Sequence, residues 1–164
     1  MRIAIGSDEA TELTAALIAE LEKRGHTLIR LGALAPEVTD SDWPVMAAQT
    51  AERVAAGEAD EGIVCCWTGT GACLAANKVP GIRAALVHDA ETARGARIWN
   101  RANVLALSLR ATSIPISREI LDAWLNTPVD SGEAQSEWNT LQMRRLQELE
   151  AKYRRGNRDK RESL

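Results

Sequence analysis

Cys66 is followed at once by Trp67, Thr68, Gly69, Thr70 and Gly71, and the run before it, Gly62-Ile-Val-Cys-Cys66, is largely apolar. That order reads as a buried strand giving way to a glycine-rich turn and then to a helix over 69–78. The first turn of a helix has N–H groups without intrahelical partners, and these stabilise anions, a thiolate or a substrate oxyanion included. A thiol placed there can serve as base or nucleophile, with main-chain donors aimed at the charge that develops. The bland alternative is a cysteine used only for packing.

Cys65, one residue earlier, points to the opposite face of its strand and reads as core, as does Cys73 in the following helix. The loop is not the dinucleotide-binding fingerprint, because Ala72, Cys73 and Leu74 occupy the place of its third glycine. Three cysteines, two of them adjacent, give neither a disulfide framework nor zinc-ligand spacing, so no metal is expected. In an open α/β sheet, ligands bind beyond the carboxyl ends of the strands. The other polar residues at such ends are Gly6-Ser-Asp-Glu9, Asp42-Trp-Pro44, His88-Asp89 and Ser108-Leu-Arg110. His26 and His88 have no obvious carboxylate or nucleophile partner and read as structural or solvent-facing.

The elements that must hold these residues follow from the period of the apolar positions. Strands are expected at 3–5, 27–31, 62–66, 82–87 and 104–108. Helices fall between them, over the segment carrying Leu13, Leu17, Ile18 and Leu21, then at 45–56, 69–78, 90–100 and 117–125. Five strands alternating with helices imply a Rossmann-like three-layer α/β sandwich around a parallel sheet, built from right-handed crossovers. After Pro128 the spacing of Trp138, Leu141, Leu146 and Leu149 predicts one extra C-terminal helix over 133–153, packing outward, where a second subunit could cover it. The expected organisation is one domain over 1–150 and a basic, solvated tail over 151–164.

Composition narrows the class. The chain has 164 residues and a net charge of −3, which gives no overall positive field for nucleic-acid binding. No apolar stretch is long enough to span a bilayer and the N-terminal run lacks a signal peptide's apolar core, so a cytoplasmic protein that binds no membrane is expected. There is no Phe and one Tyr but five Trp, which makes the position of each indole informative.

The segments GSDEAT, SDWP, CWTGTGACLAANKVPGIRAAL, WNRANVLALSLR and DAWL fall in the order and spacing of the ribose-5-phosphate isomerase type B family, which includes the galactose-6-phosphate isomerase subunits. The resemblance covers residues 1 to about 126, and beyond that the last helix matches only in position. It implies an aldose–ketose isomerase needing no metal or cofactor, a homodimer or homotetramer with sites between subunits. Position by position, Cys66 matches the base that moves a proton between C1 and C2. The amides of the 67–71 loop, with Thr68 assisting, would hold the enediolate oxygen, the donors being those of Trp67, Gly69, Thr70 and Gly71. Asp8 matches an aspartate that binds sugar hydroxyls, Asn100 a substrate-contacting asparagine, and Arg110 a phosphate-side arginine.

The chain also departs from that pattern. Glu9 replaces a histidine, Trp43 a tyrosine and Trp67 the first glycine of the loop. Trp99 stands where the family has the histidine that opens the sugar ring. By spacing, Glu133 and Glu137 replace a pair of phosphate-clamping arginines, which puts two anions on one helix face. Arg94, Arg97 and Arg101 recur at helical spacing and offer replacement cations, or else a solvated face.

The resulting expectation is isomerisation of a sugar or sugar phosphate other than ribose 5-phosphate, in a pocket narrowed by three indoles. A non-catalytic small-molecule binding or regulatory protein on the same scaffold is the competing reading. A redox sensor at Cys65-Cys66 is weaker, because adjacent cysteines close a strained ring.

Overall fold

The computed structural model describes residues 1–37, 40–130 and 132–162, with side chains described through residue 154. Five strands, β1 (Arg2–Ser7), β2 (Thr27–Gly32), β3 (Glu61–Cys66), β4 (Ala84–Leu86) and β5 (Val104–Ser108), form one parallel sheet in the order β2-β1-β3-β5-β4. Between them run α1 (Glu12–Lys23), α2 (Trp43–Ala55), α3 (Thr70–Ala76) and α4 (Ala90–Asn100). After β5 come α5 (Ile114–Leu125), a 3-10 turn (Gly132–Gln135) and α6 (Glu137–Glu162). The α/β sandwich expected from the apolar period is therefore the observed fold.

The two faces are sorted by strand alternation. Ile3, Ile5, Ile63, Cys65, Leu105 and Leu107 pack against α1, α4 and α5. Val64, Cys66, Val104 and Ala106 face Met46 and Ala47 of α2 and Ala72 and Ala76 of α3. Burial on both faces explains why the central strands read as continuous apolar runs.

Local chemistry sets the helix starts. Thr11 and Thr14 form a reciprocal capping box on α1, Asp89 caps α4 and Ser113 caps α5. Proline lies in the first turn of α2 and α5, where its missing N–H costs no helix bond, so both begin two or three residues before the expected positions.

Two expectations are corrected. The run 133–153 is not one helix, since the 3-10 turn ends before α6 begins, and Glu133 and Glu137 therefore do not share a helix face. Nor do Arg94, Arg97 and Arg101 form a solvated stripe, because Arg97 is 6 % exposed and fully engaged. Its guanidinium donates to Glu61 Oε1 (2.5 Å), to the Ala102 carbonyl (2.7 Å) and to the Thr127 carbonyl (3.1 Å). The Trp124 indole N–H donates to the other Glu61 oxygen (2.5 Å), and Arg97 lies 5.0 Å from that ring's centroid. Helix α6 runs through Glu162, so the backbone of the basic segment continues a helix. Among the described residues, no helix is long and apolar enough to cross a membrane.

Candidate active site

Strands β1, β3 and β5 are neighbours, with Ser7 beside Cys65 and Cys66 beside Ser108. Their carboxyl ends therefore bring Asp8, the 67–71 loop and Arg110 to one mouth of the sheet, and α2 begins there with Trp43. Cys66 closes β3 with its side chain on the α2–α3 face, 5 % exposed. Cys65 is wholly enclosed on the other face, and burial pushes its thiol up to about 12, which keeps it protonated and inert.

The loop after Cys66 has one permitted conformation at its centre. Gly69 lies in the left-handed region at φ +76°, and a Cβ there would come within 2.6 Å of Leu86 Cδ1 and 2.9 Å of the Leu107 carbonyl carbon. Only glycine fits. The carbonyls on either side are occupied inside the chain. Cys66 O accepts from Gly69 N (3.1 Å) and Leu109 N (3.0 Å), while Trp67 O accepts from Arg110 N (3.1 Å) and Ser108 Oγ (2.9 Å). Ser108 Oγ also accepts from Ala111 N (3.2 Å), which ties the two loops together. The first intrahelical donor of α3 is Cys73 N, to Gly69 O at 3.0 Å. Among the described residues, the amides of Thr70, Gly71 and Ala72 donate to no acceptor in the chain. The Gly69 amide, expected among the anion donors, is instead taken up by Cys66 O, so the donors left open among the described residues are those at the start of α3.

Asp8 follows β1 directly. Its Oδ1 is buried, with no hydrogen-bond partner of proper geometry among the described residues. Burial pushes its carboxyl above the ordinary range and the neighbouring Glu9 charge adds to this, while the amides of Asp8, Glu9 and Trp67 pull the other way. Glu9 itself is exposed. The Thr68 and Thr70 hydroxyls bond each other at 2.6 Å. Trp67 projects outward, 57 % exposed, with the Arg110 guanidinium 5.9 Å from its ring centroid. Trp43 lies against the start of α3, and a Cβ on Gly71 would come within 2.9 Å of its Cε3.

The remaining expected residues lie at the other end of the sheet. Helix α4 leaves the carboxyl end of β4 and returns to the start of β5, so Trp99 and Asn100 sit opposite the Cys66 mouth within one chain. The Trp99 and Trp138 rings meet edge to face at 6.3 Å. Both Trp99 and Asn100 line a cavity of about 840 Å³ with Arg101, Leu146, Glu150 and Tyr153. Arg101 donates to the Ala134 carbonyl (2.9 Å), which holds the turn carrying Glu133 beside α4, and Glu137 opens α6 close by. Within one chain, therefore, Trp43 and Trp67 share the mouth and Trp99 lies apart from them, so a pocket with all three indoles requires a second copy. The spacing of the arginines likewise gave no sign of Arg97's burial, since its partners Glu61 and Trp124 are far away in sequence. Ser108 was legible only as a polar strand end, and its role in fixing the loop was not.

Among the described residues, no group of three His, Cys, Asp or Glu side chains is placed to share a metal ion.

The family model described as Ribose/Galactose Isomerase matches residues 3–141. The chain is 42 % identical over 126 residues to galactose-6-phosphate isomerase subunit LacB of Clostridium acetobutylicum, covering 76 % of this chain and 72 % of that one. It is 36 % identical over 133 residues to a D-erythrulose-4-phosphate isomerase of Pectobacterium atrosepticum, covering 80 % and 87 %. Among solved structures, ribose-5-phosphate isomerase B of Clostridium thermocellum superposes with a TM-score of 0.82 at 38 % identity, over 93 % of this chain and 99 % of that one.

Proposed function

The chain belongs to the ribose/galactose isomerase family, and from that premise we propose that it interconverts an aldose and a ketose through an enediolate, without a cofactor. Cys66 is the base that carries the proton between C1 and C2, and the 67–71 loop is the oxyanion hole. The observation that carries this reading is the orientation of that loop. The Cys66, Trp67 and Gly69 carbonyls accept within the chain, while among the described residues the amides of Thr70, Gly71 and Ala72 have no acceptor, beside the thiol that ends a central strand. Donors fixed before the reaction need no reorganisation when negative charge develops on a carbonyl oxygen. Asp8 and Thr68 hold substrate hydroxyls at the same mouth, and Arg110 supplies the cation at its rim.

We further infer that the site is completed by a second copy of the chain. Trp99 and Asn100 lie at the opposite end of the sheet from Cys66, so a neighbour in a homodimer, or within a homotetramer, brings its Asn100 to this mouth.

The substrate is a sugar or sugar phosphate other than ribose 5-phosphate. The Trp99 that a second copy brings with its Asn100 offers no acid for opening a ring. An acyclic substrate needs no such acid, and a four-carbon sugar phosphorylated on its terminal hydroxyl cannot close a five-membered ring. The similarity to the erythrulose-phosphate enzyme supports this choice. The test is turnover of erythrose 4-phosphate, galactose 6-phosphate and ribose 5-phosphate by wild type and by Cys66→Ala. Turnover of the first, abolished in the variant, supports the assignment; efficient use of ribose 5-phosphate rejects the substrate choice. Thermal stabilisation by sugars without any turnover would identify a binding protein instead.

A further inference from the structure

Converting an aldose into a ketose moves two hydrogens, not one. The hydrogen on C2 goes to C1, and the hydrogen on O2 goes to O1. Cys66 accounts for the carbon-bound proton only. We propose that Asp8 carries the other one, its carboxyl passing the hydroxyl proton between the two substrate oxygens. This rests on the isomerase reading above.

The geometry singles out Asp8 among the groups at the mouth. It follows β1 directly, and β1 pairs with β3, so its carboxyl stands beside the strand that ends in Cys66. Its Oδ1 is buried with no partner of proper geometry among the described residues, which is costly for a carboxyl oxygen unless something else meets it. Glu9 is exposed, and the Thr68 and Thr70 hydroxyls are engaged with each other. A hydroxyl also gives up its proton far less readily than a carboxyl. Burial and the neighbouring Glu9 raise the Asp8 carboxyl, which brings its protonated form closer to use.

The step balances. The Cys66 thiolate takes the proton from C2, the C–H electrons form C1=C2, and the carbonyl electrons move to O1, which receives the Asp8 proton. The Asp8 carboxylate then takes the proton from the O2 hydroxyl. The O–H electrons form C2=O, and the C1=C2 electrons take the proton from the Cys66 thiol onto C1. Both groups return to their starting states.

The experiment compares wild type, Asp8→Asn and Cys66→Ala in deuterium oxide. The aldose is whichever of erythrose 4-phosphate, galactose 6-phosphate and ribose 5-phosphate wild type turns over fastest, and two rates are read. One is deuterium appearing at C2 of the recovered aldose, and the other is ketose formed. In Asp8→Asn, ketose formation falls roughly a hundredfold or more while exchange at C2 stays within about tenfold of wild type. Cys66→Ala loses both. A parallel loss of both rates in Asp8→Asn, with KM raised, would make Asp8 a binding residue and overturn the proposal, as would unchanged ketose formation. If Asp8→Asn does not fold, Asp8→Ser is read by the same two rates. Absence of both reactions in wild type would sink the isomerase reading itself, and this proposal with it.

Discussion

The Trp43 indole lies against Gly71 so closely that a β-carbon on residue 71 would come within 2.9 Å of its Cε3. An indole from the start of α2 thereby fixes where α3 begins, and with it the direction of the amides that follow the Cys66 loop. Gly71→Ala must displace either the ring or the helix start. A shift of this size at a positioned donor lowers kcat roughly tenfold or more. Adding Trp43→Ala makes room and recovers part of that loss, as steady-state kinetics of the single and double variants would register. Equal losses in the single and double variants would mean that the contact does not set the loop.

A second outcome concerns stability. Arg97 and Glu61 form a buried ion pair, 8 % and 10 % exposed at their side chains, joined by the Trp124 N–H. Glu61→Ala leaves an uncompensated guanidinium in the core and should cost about 3–5 kcal/mol in urea or thermal unfolding. Replacing both Glu61 and Arg97 with apolar residues should cost less than replacing Glu61 alone. If the double change is the more damaging, the pair is stabilising in its own right.

The pair also marks a limit of the sequence. The strands and most helices were legible because their apolar period is decided locally, and the mouth was legible because Cys66 and its glycines are contiguous. Arg97 was not, since its helical spacing with Arg94 and Arg101 says nothing of a carboxylate 36 residues away. Strand β4 begins later than its apolar run, because Arg83 N donates to the Asn103 side chain (Oδ1, 2.8 Å) instead of to a backbone carbonyl of β5. The separation of Trp99 and Asn100 from Cys66 follows from the direction in which a crossover helix must return, but a linear match of motifs conceals it.

The pH dependence of stability has a definite sign at Asp8. Burial raises its carboxyl in the folded state, so the fold holds that proton more tightly than the unfolded chain does. The stabilisation is complete below the ordinary value of 3.8 and is lost as pH rises through the higher folded value. Asparagine resembles the protonated form at every pH. The melting temperature of Asp8→Asn minus that of wild type should therefore grow as pH rises above 3.8 and level off once the folded carboxyl has ionised. A difference that stays flat, or shrinks, contradicts the shift.

Sharing of the site between copies can be tested by complementation. Cys66→Ala and Asn100→Ala should each be inactive alone. After the two are unfolded together and refolded as an equal mixture, half the dimers are mixed and each has one intact site. Activity should recover to about a quarter of wild type. Failure to recover, with mixed dimers demonstrated by mass, would place Asn100 outside the partner's site.

The most direct measurement is deuterium incorporation at C1 of the ketose formed in deuterium oxide, followed in wild type and Cys66→Ala. With Cys66 as the carbon base, wild type introduces solvent deuterium at C1, and the variant forms product roughly a thousandfold more slowly or worse. A folded Cys66→Ala protein that forms the same deuterated ketose at the wild-type rate would show that the thiol is not the base.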